Sequence, residues 1–344
     1  MTKQVKIGNR IIGGGASVAV QSMLNVISTD IEGNVAQAKR LERAGCEILR
    51  VSVPDLEAVR LVEAIKKEIS IPLVADIHFD YKIAVECAAA GIDKIRINPG
   101  NIGDSDRVKA VANACKSKNI PIRIGVNSGS LDKEILKKHG GVTAEALCES
   151  ALSQAQMLER FDFDDIVISI KSSDVRKTIS AYREISKKCN YPLHLGITEA
   201  GSAHMGLIKS SVGIGSLLCD SIGDTIRVSL TDIPEKEVKA GHDILRAIGL
   251  EKGIEIVSCP TCGRTKIDLI SIAEKVENAL KDVKKDIKVA VMGCVVNGPG
   301  EASDADIGIA GGDKCAVLFK KGKIVCKIKE EEIVKRLISE IEKM

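Results

Sequence analysis

Three cysteines near the end of the chain carry the spacing of a metal centre. Cys259-Pro260-Thr261-Cys262 puts two thiols on one tight turn, and Cys294 follows at a distance. The turn can grip one side of a metal group while the remote loop closes the other. After Cys294 the chain reads Val295-Val296-Asn297-Gly298-Pro299-Gly300-Glu301. Gly298 and Gly300 let the backbone approach a bound group closely, and Pro299 bends it. Glu301 then offers a carboxylate in the same loop as Cys294. Two centres suit this set. Cys-Pro-x-Cys-Gly-Arg resembles half of a zinc ribbon, but a ribbon needs a second cysteine pair, and Cys294 has no near partner. Three thiolates and one oxygen suit an iron–sulfur cluster that holds one iron weakly, and the spacing favours it. Cys315 and Cys326 are rival fourth ligands. Glu301 is preferred because it shares a loop with Cys294, and the other two read as core.

A second set of chemically capable residues is spread over the first 250 positions. Five cations, Arg50, Arg96, Arg123, Lys171 and Arg227, each fall at or near the C-terminal end of a short apolar run. Asp76, His78, Asn127, Glu199 and Ser229 stand in the same kind of place. Within a run these residues are two or four apart, as are Asp76 and His78, Arg123 and Asn127, or Arg227 and Ser229. Strand alternation puts each such pair on one face. A lone histidine or arginine at such a place is ordinary. Five converging cations are not. Guanidinium forks match phosphate oxygens, and lysine adds a point charge. The simplest ligand is a highly charged anion, most simply a diphosphate. Of Asp76 and Glu199, one can orient the cations, and the other can handle a proton or stabilise developing positive charge.

The apolar runs are eight: 18–23, 47–53, 72–78, 94–98, 121–127, 165–171, 192–199 and 225–229. Amphipathic stretches lie between them. Gly45 and Gly91 end two of these, and Pro72, Pro121 and Pro192 open the strand after three others. Eight strand–helix units over residues 1–250 predict a (β/α)8 barrel, with the polar strand ends lining its C-terminal mouth. An open doubly wound sheet would show a glycine-rich turn after its first strand, whereas Gly13-Gly14-Gly15 precedes it. Residues 251–344 read as a compact α+β domain. Strands are expected at 254–258, 287–291 and 307–310, a hairpin at 316–328, and helices at 269–280 and 330–341. Both metal-ligand loops then follow strand ends.

Composition bounds the rest. The 344 residues are 44% hydrophobic but only 2% aromatic, with no Trp, so the core must be aliphatic. A net charge of +3 is too slight to argue for nucleic acid. No apolar run is long enough to span a membrane, and residues 1–12 lack a signal-peptide pattern. A cytoplasmic protein is expected. Eleven cysteines in such a compartment are not a disulfide framework. Cys46, Cys87, Cys115, Cys148, Cys189 and Cys219 have no ligand spacing and read as small buried hydrophobes.

These residues stand within longer motifs. They are Val20-Gln-Ser-Met, Arg96-Ile-Asn-Pro-Gly-Asn101, Arg123-Ile-Gly-Val-Asn127-Ser-Gly-Ser-Leu, Leu195-Gly-Ile-Thr-Glu199-Ala-Gly, Cys259-Pro-Thr-Cys262-Gly-Arg and Cys294-Val-Val-Asn-Gly-Pro-Gly-Glu301. In this order they resemble the 4-hydroxy-3-methylbut-2-enyl diphosphate synthase family over essentially the whole chain, in its short two-domain bacterial form. The resemblance implies a TIM barrel followed by a domain similar to those of sulfite and nitrite reductases. It implies a [4Fe-4S] cluster on Cys259, Cys262, Cys294 and Glu301. The substrate it implies is 2-C-methyl-D-erythritol 2,4-cyclodiphosphate, opened and dehydroxylated reductively in isoprenoid biosynthesis. Its diphosphate would meet the five cations, with Asp76, His78, Asn127, Ser229 and Asn297 also at the substrate and Glu199 assisting proton or charge handling. Reduced ferredoxin or flavodoxin would supply single electrons. A homodimer is implied, the cluster domain of one subunit capping the partner's barrel. Two other classes fit the residues alone: a barrel aldolase or isomerase with a zinc-stapled tail, and a non-catalytic metal module on a phosphate-binding barrel.

Overall fold

The architecture is described from a computed structural model that covers residues 1–281, 283, 285–295 and 302–344. Asn297 and Glu301 lie outside the described residues. The chain divides into two units, Met1–Ile248 and Gly249–Met344.

The first unit opens with an antiparallel hairpin, β1 (Val5–Ile7) and β2 (Arg10–Ile12). Eight parallel strands follow: β3 (Ala19–Met23), β4 (Ile48–Ser52), β5 (Leu73–Asp76), β6 (Lys94–Ile97), β7 (Ile122–Asn127), β8 (Ile166–Lys171), β9 (His194–Leu195) and β10 (Thr225–Ile226). They pair in the order β8-β7-β6-β5-β4-β3-β10-β9. An isolated parallel bridge between Ile168 and Leu193 joins the two ends, so the sheet closes as a barrel. The short apolar runs become strands because helices cover their outer face. The helix Val175–Lys188 shows the pattern, burying Thr178, Ala181, Tyr182 and Ile185 at helical spacing. Asp30, Asp80, Asp104, Thr143 and Asp174 cap helix starts, each side chain accepting a backbone N–H of the first turn. Such a cap is worth about 1 kcal/mol.

The terminal hairpin is not legible as strands in the sequence, because each arm has only three residues. It seals the barrel floor: Val5, Ile7 and Ile12 pack with Ala19, Ile48, Val74 and Val167, from the early parts of β3, β4, β5 and β8. Only the C-terminal end is left for a site. The last two strands are also shorter than their apolar runs. At β9 the reason is local. A Cβ on Gly196 would lie 2.8 Å from the Arg227 carbonyl oxygen, so the backbones approach too closely for a regular ladder to continue. Four of the six scattered cysteines are buried as expected, but Cys189 is half-buried and Cys219 exposed, at the end of the helix Ala203–Cys219.

The second unit is a five-stranded sheet in the order β11 (Ile254–Ser258), β12 (Ile287–Met292), β13 (Ile307–Gly312), β14 (Cys315–Lys320), β15 (Lys323–Lys329). The first three strands run parallel and the hairpin is antiparallel. Helices Leu269–Leu280 and Ile333–Glu342 bury Ile272, Val276, Leu337 and Ile341 on one face, against Val289, Val291, Ile309 and Leu318. The closing helix begins later than its sequence pattern, after a 3-10 turn at Glu330–Glu332. Among the described residues no helix is long and apolar enough to cross a membrane.

Candidate active site

Asp76, the last residue of β5, is the hub of the barrel site. Its two oxygens take two guanidinium groups: Arg50 Nη2 at 3.2 Å and Arg96 Nη1 at 3.0 Å. All three residues are buried. Burial alone would raise the Asp76 carboxyl, but Arg50 and Arg96 outweigh it and hold the group well below the usual range. Arg96 Nη1 also lies 3.4 Å from His78 Nε2, and His78 itself is exposed. The Arg96 guanidinium occupies space that Gly125 of β7 leaves open. A Cβ there would sit 2.4 Å from Arg96 Nε.

Arg123 stands beside Arg96 in the β6–β7 register and is 0% exposed. Its one described partner is neutral: Nη1 donates to Gln21 Oε1 at 3.0 Å. Its Nε and Nη2 have no partner among the described residues, nor have Arg50 Nη1 and Arg96 Nε. Sequence reasoning placed the cations on an open mouth. Arg50, Arg96 and Arg123 are instead fully inside, tolerated through Asp76 and Gln21. A buried charge without a counter-ion costs several kcal/mol, and a multivalent anion would supply the acceptors these donors lack.

The remaining expected residues lie nearer the strand ends. Lys171 pairs in register with Asn127, the last residues of β8 and β7. Burial, then Arg50, Arg96 and Arg123, push the Lys171 amine well below its ordinary value. Arg227 follows β10 and reaches Glu237 Oε2 at 3.4 Å, while Glu237 Oε1 accepts the Leu230 N–H. Ser229 is half-buried beyond it. Glu199 is exposed and holds φ at 50°, the left-handed region that side chains other than glycine rarely adopt. The other five such residues among those described close helices or turns; Glu199 stands in the segment after β9. That conformation stores strain at a place where a carboxylate must be aimed.

Several supporting residues escaped the sequence reading. Gln21 stood in a recognised motif without a role. Glu237 lies on a helix, and nothing in its spacing tied it to Arg227. Tyr182 is fully buried, and its hydroxyl accepts the Ile170 N–H at 2.9 Å and lies within hydrogen-bond reach of the His194 carbonyl. It bridges β8 and β9 beside Lys171, where the ladder is weakest. His194 Nδ1 lies 2.8 Å from Thr225 Oγ1, and burial with Arg123 pushes the ring toward its neutral form.

In the second unit Cys259 follows β11 and Cys294 follows β12, neighbouring parallel strands in register. All three expected thiols therefore gather at one end of the sheet. The Gly293 N–H donates to Cys259 Sγ at 3.2 Å, and Lys266 N–H donates to the Gly293 carbonyl at 3.0 Å, tying the two loops together. Hydrogen bonds from the Arg264 backbone and side chain depress the exposed Cys262 thiol. Cys294 is buried. N–H donation to sulfur and a depressed thiol are what a thiolate ligand needs. Among the described residues no three metal-ligating side chains form a preassembled set. Cys315 and Cys326 are half-buried, and Cys326 packs against the helix-side core.

A family model described as the GcpE TIM-barrel domain matches residues 2–242, and one for the GcpE protein C-terminal domain matches residues 255–343. The chain belongs to the GcpE family. Among curated relatives it is 59% identical to the 4-hydroxy-3-methylbut-2-en-1-yl diphosphate synthase (flavodoxin) of Caldanaerobacter subterraneus, over 100% of this chain and 97% of that one. It is 58% identical to the protein of the same name from Ruminiclostridium cellulolyticum, over 100% and 98%. A relative from Fusobacterium nucleatum with that name is 52% identical, over 98% of this chain and 97% of that one. Among solved structures, dihydropteroate synthase from Stenotrophomonas maltophilia superposes with a TM-score of 0.54 at 14% identity, covering 72% of this chain and 97% of that one. Dihydropteroate synthase from Xanthomonas albilineans gives 0.52 at 14% identity, over 71% and 96%. At that identity the likeness is one of fold, and it places the GcpE barrel among TIM barrels.

Proposed function

We propose that this chain is an iron–sulfur oxidoreductase that converts 2-C-methyl-D-erythritol 2,4-cyclodiphosphate to (E)-4-hydroxy-3-methylbut-2-enyl diphosphate. The observation that carries the reading is the set of unmatched buried donors on Arg50, Arg96 and Arg123. Three guanidinium groups on β4, β6 and β7, with one carboxylate on β5 shared by Arg50 and Arg96, leave a charge deficit that a diphosphate dianion fills. The full-length identity to synthases of that name supports the choice of substrate.

Each residue has a definite task in this reading. Arg123 supplies a charge with no carboxylate bonded to it among the described residues, and Gln21 fixes its fork. Asp76 spaces Arg50 and Arg96 so that their free N–H groups point to separate phosphate oxygens. Lys171, Arg227, Asn127 and Ser229 complete the binding set at the strand ends, with His78 beside Arg96; Asn297 is assigned to the substrate as well. Glu199, exposed at the mouth, handles a proton or balances positive charge at the reacting carbons. The reaction takes two electrons and two protons, opens the ring and releases one oxygen as water. Cys259, Cys262 and Cys294, with Glu301, would hold a [4Fe-4S] cluster, which when bound passes electrons singly. The donor chemistry at the sheet end fits such a cluster: three cysteines, an N–H bond to Cys259 and a depressed Cys262. Zinc would leave the reaction without an electron path.

Reduced flavodoxin, or ferredoxin, is the electron donor. The active form is a homodimer in which each cluster unit serves the partner's barrel. The compartment is the cytoplasm, in keeping with eleven free cysteines. The test is anaerobic reconstitution with iron and sulfide. The wild type should turn brown and convert the cyclic diphosphate only when a reductant is added. Cys294→Ser should lose colour and activity while its far-ultraviolet dichroism is kept. A colourless wild type that is active without reductant would contradict the proposal.

A further inference from the structure

Lys94 is a buried ionisable group of the barrel that this reaction leaves unused. Lys94 opens β6 two residues before Arg96, so both side chains leave the strand on the same face. It is 0% exposed, and its Nζ has no hydrogen-bond partner among the described residues. In register it stands beside Val74, part of the floor that the terminal hairpin seals. It therefore lies one pleat below Arg96, under the proposed diphosphate site.

The groups around it are mostly cationic. Arg96 shares its strand, Arg123 stands on β7 and Arg50 on β4; Lys171, itself depressed, ends β8, and His194, held toward its neutral form, opens β9. Asp76, on β5, is taken by Arg50 and Arg96. An ammonium at Lys94 would stand among cations with no acceptor. Burial first, then Arg123 and Arg50, drive the amine well below its ordinary value. Bound diphosphate changes the sign of the local field. Each phosphorus of the cyclic compound carries a single acidic oxygen, so the ligand is a dianion that does not itself titrate near neutrality. Two negative charges entering the ring make a proton on Lys94 favourable.

On the reading that this barrel binds the cyclic diphosphate, we propose that Lys94 is the proton acceptor linked to anion binding. It is a neutral amine in the free enzyme and takes a proton from solvent as the dianion enters. No substrate bond changes in this step. The device lets the free barrel carry one buried charge fewer while the occupied one is balanced more fully. It is a positioning role, exerted through the field at Arg123 and Arg96.

Calorimetric titration of the cyclic diphosphate tests this, with holoenzyme, no reductant, and buffers of different ionisation enthalpy at mildly alkaline pH. The wild type should take up close to one proton per ligand, and its affinity should weaken as pH rises. Lys94→Met should take up almost none, show a flat pH profile, and bind about tenfold more weakly, a difference of about 1.4 kcal/mol. Lys94→Leu serves in its place if the methionine variant folds poorly. A second readout needs no substitution. In lysine-labelled wild type, one side-chain nitrogen should move from the amine to the ammonium position on adding ligand. Equal proton uptake in wild type and variant would overturn the proposal and move the proton to Lys171 or His194. Tight wild-type binding without proton uptake would overturn it too. Failure of the wild type to bind would instead remove the diphosphate reading on which it rests.

Discussion

Gly125 and Arg96 form one device: the missing side chain on β7 is the space the guanidinium of β6 fills. A Cβ on Gly125 would lie 2.4 Å from Nε and 2.6 Å from Nη2 of Arg96. Neither strand can supply that room otherwise, because both are buried on either face.

Gly125→Ala should therefore act through Arg96. The guanidinium must move off Asp76 or out of the site, and one charge-assisted bond to phosphate is lost. Such a bond is worth about 1.5–3 kcal/mol, so KM should rise about tenfold or more. Steady-state kinetics at saturating reductant measure it. An unchanged KM would mean that Arg96 does not meet the substrate.

Arg123→Met separates binding from stability. The variant removes a buried cation with no carboxylate bonded to it among the described residues and leaves the Gln21 carbonyl without its Arg123 donor. These effects oppose one another, so unfolding free energy should hold within about 1 kcal/mol or rise. Substrate affinity should fall by at least about 1.5 kcal/mol. Denaturant melts and equilibrium binding measure the two. A variant that loses stability but binds normally would make Arg123 a purely architectural residue.

Stability should change with pH at both ends of the scale. Lys94 and Lys171 are depressed from 10.5 in the folded chain, so over the interval up to 10.5 the unfolded chain holds more protons. Stability then rises as pH increases through that interval. Asp76 is depressed from 3.8; its contribution is present above 3.8 and is lost as pH falls through the folded value. Denaturant midpoints across pH should show both slopes. Lys94→Met should flatten the alkaline rise and leave the acid limb intact. An alkaline slope unaffected by that substitution would contradict the burial argument.

In the proposed homodimer, each active centre draws Glu199 from one subunit and Cys294 from the other. Mixing inactive Cys294→Ser with inactive Glu199→Gln should then restore activity, since a mixed dimer has one centre with both defects and one with neither. Subunit exchange is checked by native mass spectrometry. Exchange without recovery would place both residues of a centre on one chain.

The barrel was legible because its strands and helices obey local rules: apolar runs of five to eight residues, amphipathic stretches between them, and glycine or proline stops. Chemistry-bearing side chains were legible where the strand period aligned them, as at Arg123 and Asn127 of β7, whereas β5 stops at Asp76 and leaves His78 beyond the strand. What escaped depended on partners far apart in sequence. Nothing near Gln21 announces Arg123, and nothing near Tyr182 announces that its hydroxyl spans β8 and β9. Lys94 was hidden for another reason: a lysine opening a strand reads as solvated, and only the hairpin β1–β2 beneath it makes the position interior. The depth of Arg50 and Arg96 was misjudged in the same way, since the pairing with Asp76 that permits burial is a contact in space.

The most direct measurement is the number of electrons consumed for each product formed. Purified reconstituted enzyme, the cyclic diphosphate and a titrated chemical reductant are combined without oxygen, and product is counted by mass. Two electrons should be consumed for every molecule of 4-hydroxy-3-methylbut-2-enyl diphosphate, with none formed before reductant is added. Ring opening that consumes no reductant would contradict it, and would return the chain to barrel isomerase chemistry.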